Sequence, residues 1–76
     1  MDGFPERLRK LREGKRMKRC VLAELCGLSK HQIRRYEEGT AEPRASSLIA
    51  MAEHFGVTVD YLLGREETGK FYKRDL

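Results

Sequence analysis

A short segment of this chain concentrates side chains that form hydrogen bonds with nucleic acids. Residues 30–35 have the sequence KHQIRR, in which polar and cationic groups surround one aliphatic side chain. Guanidinium, ammonium and amide groups donate hydrogen bonds to phosphate oxygens and to the edges of bases. We find no recognisable arrangement of nucleophile, base and orienting group, no paired carboxylates and no phosphate-binding glycine loop. The chemistry indicated is recognition, and we expect that the protein is not an enzyme.

Two short helices joined by a glycine turn would hold this segment. Leu22 and Cys26 are four residues apart and share a helix face, and Gly27 can adopt the left-handed conformation that ends the helix. Small Ala23 stands where the two helices approach each other. This spacing is typical of a helix-turn-helix, whose second helix enters the major groove of DNA. The positions expected to point inward are Leu22, Cys26, Leu28, Ile33 and Tyr36.

The outward face of the second helix follows from this pattern. Ile33 and Tyr36 are the apolar residues that would point into the protein. A rotation of about 100° per residue then directs His31 and Arg35 most directly outward. Arg34 flanks them, so the exposed side of this helix is rich in hydrogen-bond donors.

The start of the second helix leaves the role of one residue open. Ser29 and Gln32 form the S-x-x-Q pattern of a capping box, in which each side chain bonds to the backbone amide of the other residue. Gln32 could therefore close the helix start or contact a base. The sequence favours neither role over the other.

The fold class expected is all-α. Pro5 suits the first turn of a helix, Gly56 can end one, and Thr58 can cap a short final helix that contains Val59. We predict a compact five-helix domain over residues 1–64 and a charged C-terminal tail over residues 65–76, either mobile or involved in dimerisation. The expected helices span about residues 5–15 and 19–26, from Ser29 to a loop at 38–44, about 45–54, and a short segment after Thr58 that holds Leu62 and Leu63.

Length and charge limit the possible classes of protein. A chain of 76 residues makes one domain, because chains of this size bury only about 60% of their unfolded surface. Residues 1–35 carry 11 Lys and Arg against 4 Asp and Glu, whereas residues 36–76 carry 5 against 8. A basic half favours a polyanionic partner, although a solvated basic surface would have the same composition.

Other compositional features point to a cytoplasmic protein without a cofactor. No apolar run approaches the roughly 20 residues that span a bilayer, and the N-terminal residues lack the apolar stretch of a signal peptide. Cys20 and Cys26 do not match a zinc-ligand spacing with His31 and His54, so we expect two free thiols, no metal site and no cofactor. We expect His54 on the surface.

Two longer motifs resemble a known family. The segment LAELCGLSKHQIRRYEEG resembles the L-A-x-x-x-G-[VL]-S core and the following I-x-x-[YW]-E-x-G of the Cro and phage-repressor (XRE-like) helix-turn-helix domains. The segment HFGVTVDYLLG resembles the family's L-G-V-S-x-D-Y-L-L-G. The resemblance covers about residues 6–64 and implies a five-helix domain that binds double-stranded DNA.

The resemblance, together with the helical geometry, names candidate site residues. It implies that Arg12 of helix one forms a partly buried ion pair with Glu37, the acid after the aromatic residue of helix three. The candidate base contacts are Lys30, His31, Gln32 and Arg35. The candidate phosphate contacts are Arg19, Arg34, Thr40 and Arg44.

The chain also departs from the family pattern. Lys18 stands where a Ser or Thr usually caps helix two, and Arg16 occupies the place of the Gly that commonly ends helix one. Val21 and Leu25 stand at outer positions that are usually polar, and with Cys20 they would form a small exposed apolar strip. Isolated surface apolarity would explain it, but we hypothesise that the strip docks Phe71 and Tyr72 of the tail or of a second copy.

These inferences predict a sequence-specific transcriptional regulator, most simply a repressor of phage, mobile-element or bacterial origin. A homodimer on a near-palindromic operator would place two recognition helices about 34 Å apart. The expected dimer surface is formed by Leu62, Leu63, Phe71 and Tyr72, although we expect at least one of the two leucines to complete the monomer core instead. The alternative is an antitoxin or other interaction module that binds a partner protein through helix two and the tail.

Overall fold

The computed structural model describes residues 3–65. They form five α-helices, α1 Phe4–Gly14, α2 Arg19–Cys26, α3 Lys30–Glu38, α4 Ala45–Phe55 and α5 Val59–Leu62. The predicted all-α, five-helix architecture is confirmed, and α2 has the predicted bounds. Helix α1 begins and ends one residue earlier than expected, and α4 extends one residue further.

Every helix contributes a fully buried side chain to one hydrophobic core. These side chains are Leu8, Leu22, Ile33, Met51 and Leu62, in helix order, and each has no exposed surface. Helix α3 packs against both α1 and α2. The core therefore holds α3 from two sides.

Phe4 is a core residue that the sequence interpretation missed. It begins α1, is 9% exposed and meets Tyr36 edge-on, with the ring centroids 5.8 Å apart and an interplanar angle of 62°. The contact is one of the preferred arrangements of aromatic pairs. It joins the start of α1 to the buried side of α3.

A left-handed glycine makes the turn between α2 and α3. Gly27 has φ of +69°, and the backbone N–H of Leu28 donates to the carbonyl of Ala23 over 2.8 Å. Both features belong to a helix C-terminus of the type predicted for this position. The turn sets the direction in which α3 leaves α2.

The helix starts differ in how their free amides are satisfied. Ser29 and Gln32 form the complete capping box of α3, and the Thr58 hydroxyl oxygen accepts a hydrogen bond of 3.0 Å from the backbone N–H of Tyr61. Lys18 occupies the N-cap position of α2 and provides no side-chain hydrogen bond there. The start of α2 therefore lacks the capping acceptor that Ser or Thr would supply.

In the second half of the domain, the structure decides one open expectation and corrects another. Leu62 is completely buried, so it is the leucine of this pair that completes the monomer core, as expected of at least one of them, and it does not lie on a dimer surface. His54 is half-buried rather than exposed, and its Nε2 atom is enclosed without a hydrogen-bond partner. Phe71 and Tyr72, the aromatic residues of the predicted tail, lie outside the described residues.

Residues 3–65 contain no helix long and apolar enough to cross a membrane. The same residues contain no cluster of three or more His, Cys, Asp or Glu side chains that could hold a metal ion. Cys20 is exposed, Cys26 is half-buried, and both are free thiols.

Arg16 provides a test of backbone strain at the end of α1. Its φ is +52°, and no other non-glycine residue between 3 and 65 has a positive φ. We expect Arg16→Gly to raise the free energy of unfolding by about 0.5–1 kcal/mol, since glycine lacks the Cβ that disfavours this conformation. Thermal denaturation should show an increase of about 4 °C. Arg16→Ala removes the same charge but keeps Cβ, and an equal gain from that variant would contradict the argument.

Candidate nucleic-acid interface

Helix α3 presents a continuous face of exposed donors. Ile33 is fully buried and Tyr36 is 3% exposed, so the opposite side of the helix faces solvent. One helical turn separates Lys30 from Arg34 and His31 from Arg35, which places each pair side by side. The exposed polar residues of this face are Lys30, His31, Gln32, Arg34 and Arg35.

Gln32 is engaged in the capping box. Its Oε1 accepts a hydrogen bond of 2.9 Å from the backbone N–H of Ser29, and the Ser29 hydroxyl oxygen accepts one of 3.1 Å from the backbone N–H of Gln32. A bidentate contact with adenine requires both the carboxamide oxygen and the NH₂ group. Gln32 could make that contact only if Oε1 accepted a second hydrogen bond or left the cap, whereas its NH₂ group can donate without either change.

A buried carboxylate joins three helices beneath this face. Glu37 of α3 has a side chain that is 2% exposed, and Arg12 of α1 contacts it through two hydrogen bonds, Nε to Oε2 at 2.5 Å and Nη2 to Oε1 at 3.0 Å. The Nε atom of Arg19, at the start of α2, donates to Oε1 over 3.0 Å. Arg12 and Glu37, the pair implied by the resemblance, thus lie in direct contact.

The same network fixes the connection between α1 and α2. Nη1 of Arg12 donates to the backbone carbonyl of Met17 over 2.8 Å. The hydrogen bonds to Glu37 raise the pKa of the Arg12 guanidinium above its ordinary value, against the opposing effect of burial. Arg12 therefore stays charged, and it holds the α1–α2 loop and α3 together.

Arg19 has a second role that the sequence interpretation missed. It was assigned to phosphate alone, whereas its Nε belongs to the carboxylate network and its side chain is 41% exposed. The bond to Glu37 uses Nε and leaves the two terminal NH₂ groups of the guanidinium outside that contact. No spacing rule predicts a pair 18 residues apart, so only the folded chain could show it.

A cationic basin lies beside Arg19. This concavity of about 330 Å³ is lined by four cationic side chains and one thiol. It adjoins the N-terminus of α2, where free backbone amides and the helix dipole favour negative charge. The lining residues are Arg12, Lys18, Arg19, Cys20 and Lys30.

The loop after α3 positions the remaining candidates. Gly39 ends α3 with φ of +78°, and both the backbone N–H and the hydroxyl of Thr40 donate to the carbonyl of Arg35, over 3.0 Å and 3.4 Å. Phosphate oxygens accept hydrogen bonds, so the Thr40 hydroxyl would have to rotate away from this carbonyl to bind one. Arg44 is exposed at the N-cap position of α4.

The apolar strip expected on α2 is exposed. Val21 is 43% exposed and Leu25 is 57% exposed, and the thiol of Cys20 is also on the surface. Ile49 of α4 is 51% exposed, which the sequence interpretation did not predict. Burial of the neighbouring Cys26 raises the pKa of its thiol.

Comparison with known proteins identifies the class to which this arrangement belongs. The helix-turn-helix family HTH_3, of the XRE/Cro type, matches residues 8–62, and the chain belongs to this family. The HTH-type transcriptional activator BcrR of Enterococcus faecalis is 39% identical over 64 residues, which cover 84% of this chain and 31% of BcrR. The HTH-type transcriptional regulator AnsR of Bacillus subtilis (strain 168) is 37% identical over 62 residues, covering 82% of this chain and 53% of AnsR.

A solved structure shows the same fold. The P22 c2 repressor, crystallised with synthetic operator 9T, superposes with a TM-score of 0.82 and 26% identity, over 87% of this chain and 100% of that one. The chain spans about one third of BcrR and about half of AnsR. The resemblance to the Cro and phage-repressor family, inferred above from two motifs, is confirmed.

Removing the buried carboxylate should destabilise the domain. In Glu37→Gln, the guanidinium of Arg12, which is 11% exposed, would lose its charged partner, and Arg19 would lose the same partner. We expect a loss of about 3 kcal/mol in the free energy of unfolding, as for other largely buried ion pairs that lose one member. Urea denaturation measures this loss. The control is Glu38→Gln, since Glu38 is the exposed neighbour, and equal losses in the two variants would refute a special role for Glu37.

Proposed function

We propose that this protein is a sequence-specific, double-stranded DNA-binding transcriptional regulator. The observation that carries the proposal is the exposed donor face of α3. The opposite side of this helix is held in the protein by the buried side chains of Ile33, Tyr36 and Glu37. A helix-turn-helix presents such a face to the major groove. Membership of the XRE/Cro-type family and the likeness to an operator-bound repressor support the same function.

Base recognition is assigned to the outward residues of α3. Arg35 and Lys30 can donate to O6 and N7 of guanine, and each well-placed pair discriminates between bases by about 1–3 kcal/mol. His31, which points outward between them, can donate to an acceptor on a base edge. Gln32 contributes through its NH₂ group, while its oxygen remains in the capping box.

Phosphate binding is assigned to the cationic basin and its surroundings. Glu37 holds the Nε edge of Arg19, which orients the two terminal NH₂ groups before DNA arrives. A guanidinium held in this way can bind a phosphate through two parallel hydrogen bonds. Lys18 and Lys30 add positive charge to the same basin. Further phosphate contacts are assigned to Arg34, Thr40 and Arg44.

Two copies of the domain would form the working unit. One short helix contacts few base pairs, so we infer a homodimer in the cytoplasm that binds a near-palindromic operator with half-sites about 34 Å apart. Leu62 is buried and is no longer part of the proposed dimer surface, whereas half-buried Leu63 remains. Repression by occlusion of a promoter is the simplest regulatory effect of such binding.

The alternative, an antitoxin or other protein-interaction module, is less well supported. The observation that favours this alternative is the exposed strip of Val21 and Leu25 on α2. Relatives across most of the chain are named as transcriptional regulators or activators. A protein partner on the strip would also leave the donor face of α3 free, so it would add to DNA binding rather than replace it.

Selection of bound sites from a random duplex library tests the proposal. The wild-type protein should select a near-palindromic motif, and Arg35→Ala should lose preference at one position of each half-site, by about 1–3 kcal/mol. Arg9→Ala removes the same charge from α1 and should keep the full preference. Motif-free binding that only falls steeply with salt would contradict sequence-specific recognition.

Cys20 allows the basin to be tested separately. Its exposed thiol lines the basin, so duplex DNA containing the selected site should slow its alkylation by iodoacetamide. The half-buried Cys26, whose thiol pKa is raised by burial, provides the internal comparison, and its rate should not change. Peptide mass spectrometry resolves the two sites. Equal rates at Cys20 with and without DNA would exclude a phosphate in this basin.

A further inference from the structure

An apolar groove lies at the end of the domain where the described chain leaves the core. It has a volume of about 340 Å³, and most of its wall area is apolar. The volume is near the lower limit for protein ligand sites, so it suits a few side chains. The groove is lined by Phe4 and Pro5 of α1, by Gly39, Ala41, Glu42 and Pro43 of the loop after α3, by Leu48 of α4, and by Leu63.

The chain itself supplies apolar side chains close to this groove. Leu63 forms part of its wall, and Gly64, with φ of +81°, then turns the backbone so that the N–H of Arg65 donates to the carbonyl of Asp60 over 2.8 Å. Phe71 and Tyr72 follow Arg65 after five residues. Phe71 is the sixth and Tyr72 the seventh residue after Arg65, so an extended chain reaches at most roughly 22 Å and 25 Å from Arg65, which is long enough for both rings to return to the groove.

We propose that this groove binds Phe71 and Tyr72 of the same chain. Aromatic side chains bury a large apolar area for their size, and the groove offers apolar walls on several sides. Charge is complementary as well, because Lys70 and Lys73 flank the aromatic pair and Glu42 is the acidic residue of the groove wall. The segment 70–73 therefore matches the groove in polarity and in charge.

The groove is a better binding site for Phe71 and Tyr72 than the apolar strip on α2. Val21 and Leu25 lie one turn apart on the outside of a single helix, where a ring would have a wall on one side only. The groove is built from four separate parts of the chain and can enclose a ring. Because the two surfaces have no residue in common, substitutions distinguish them.

Fluorescence provides the test, because the chain contains no tryptophan. In Phe71→Trp, docking should shift the tryptophan emission to shorter wavelength. It should also lower the acrylamide quenching constant by at least about twofold compared with a variant in which the segment is not docked. Ala41→Lys, added in the groove, should abolish both effects. Leu25→Lys, added on the strip as a matched control, should leave them unchanged.

The other outcomes would overturn the proposal. Solvent-like emission from Phe71→Trp alone would exclude docking, and release by Leu25→Lys but not by Ala41→Lys would place the segment on the strip. Shielding that disappears on dilution, together with a change in mass by light scattering, would assign the groove to a second copy. Circular dichroism checks that Ala41→Lys keeps its helices, and Pro43→Lys replaces it if they are lost.

Discussion

The orientation of the recognition helix depends on one buried carboxylate. Glu37 accepts hydrogen bonds from Arg12 of α1 and from Arg19 of α2, and Arg12 also binds the backbone carbonyl of Met17. Each of these groups would be left without a partner if the helices separated, and an unpaired buried charge is strongly unfavourable. The three helices are therefore constrained by a polar network that specifies geometry, in addition to an apolar core that supplies most of the driving force.

Helical periodicity separates the structural side of α3 from its recognition side. Ile33, Tyr36 and Glu37 are spaced by three and four residues, so they share the buried face. Ile33 reaches the core, Tyr36 meets Phe4 and Glu37 carries the ion pairs. The opposite face takes no part in packing. Its side chains can therefore vary according to what they contact outside the protein.

The local features of the fold were predictable because each depends on neighbouring residues. The bounds of α2, the left-handed turn at Gly27 and the capping box at Ser29 are determined by residues within one helical turn. Phe4 also had a usable signal, since it is four residues before Leu8 and shares its helix face. The first helix was, however, predicted to begin at Pro5, which left Phe4 outside it. The exposed face of α3 followed from its two apolar anchors.

The remaining features depend on contacts between distant parts of the chain. The hydrogen bond of Arg19 to Glu37 and the complete burial of Leu62 arise only when separate helices meet. The groove is a similar case, since its walls come from both ends of the described chain. Periodicity assigns a residue to a helix face, but it does not predict which other helix or loop will pack against that face.

The capping box has an evolutionary consequence for the exposed residues of α3. Gln32 and Ser29 each satisfy an amide of the other, so a change at Gln32 alters the start of the helix as well as its surface. His31 and Arg35 take no part in this cap. A lineage can therefore acquire new binding preferences through His31 and Arg35 without weakening the helix, whereas changes at Ser29 and Gln32 are limited to side chains that keep the capping box, such as Thr and Glu.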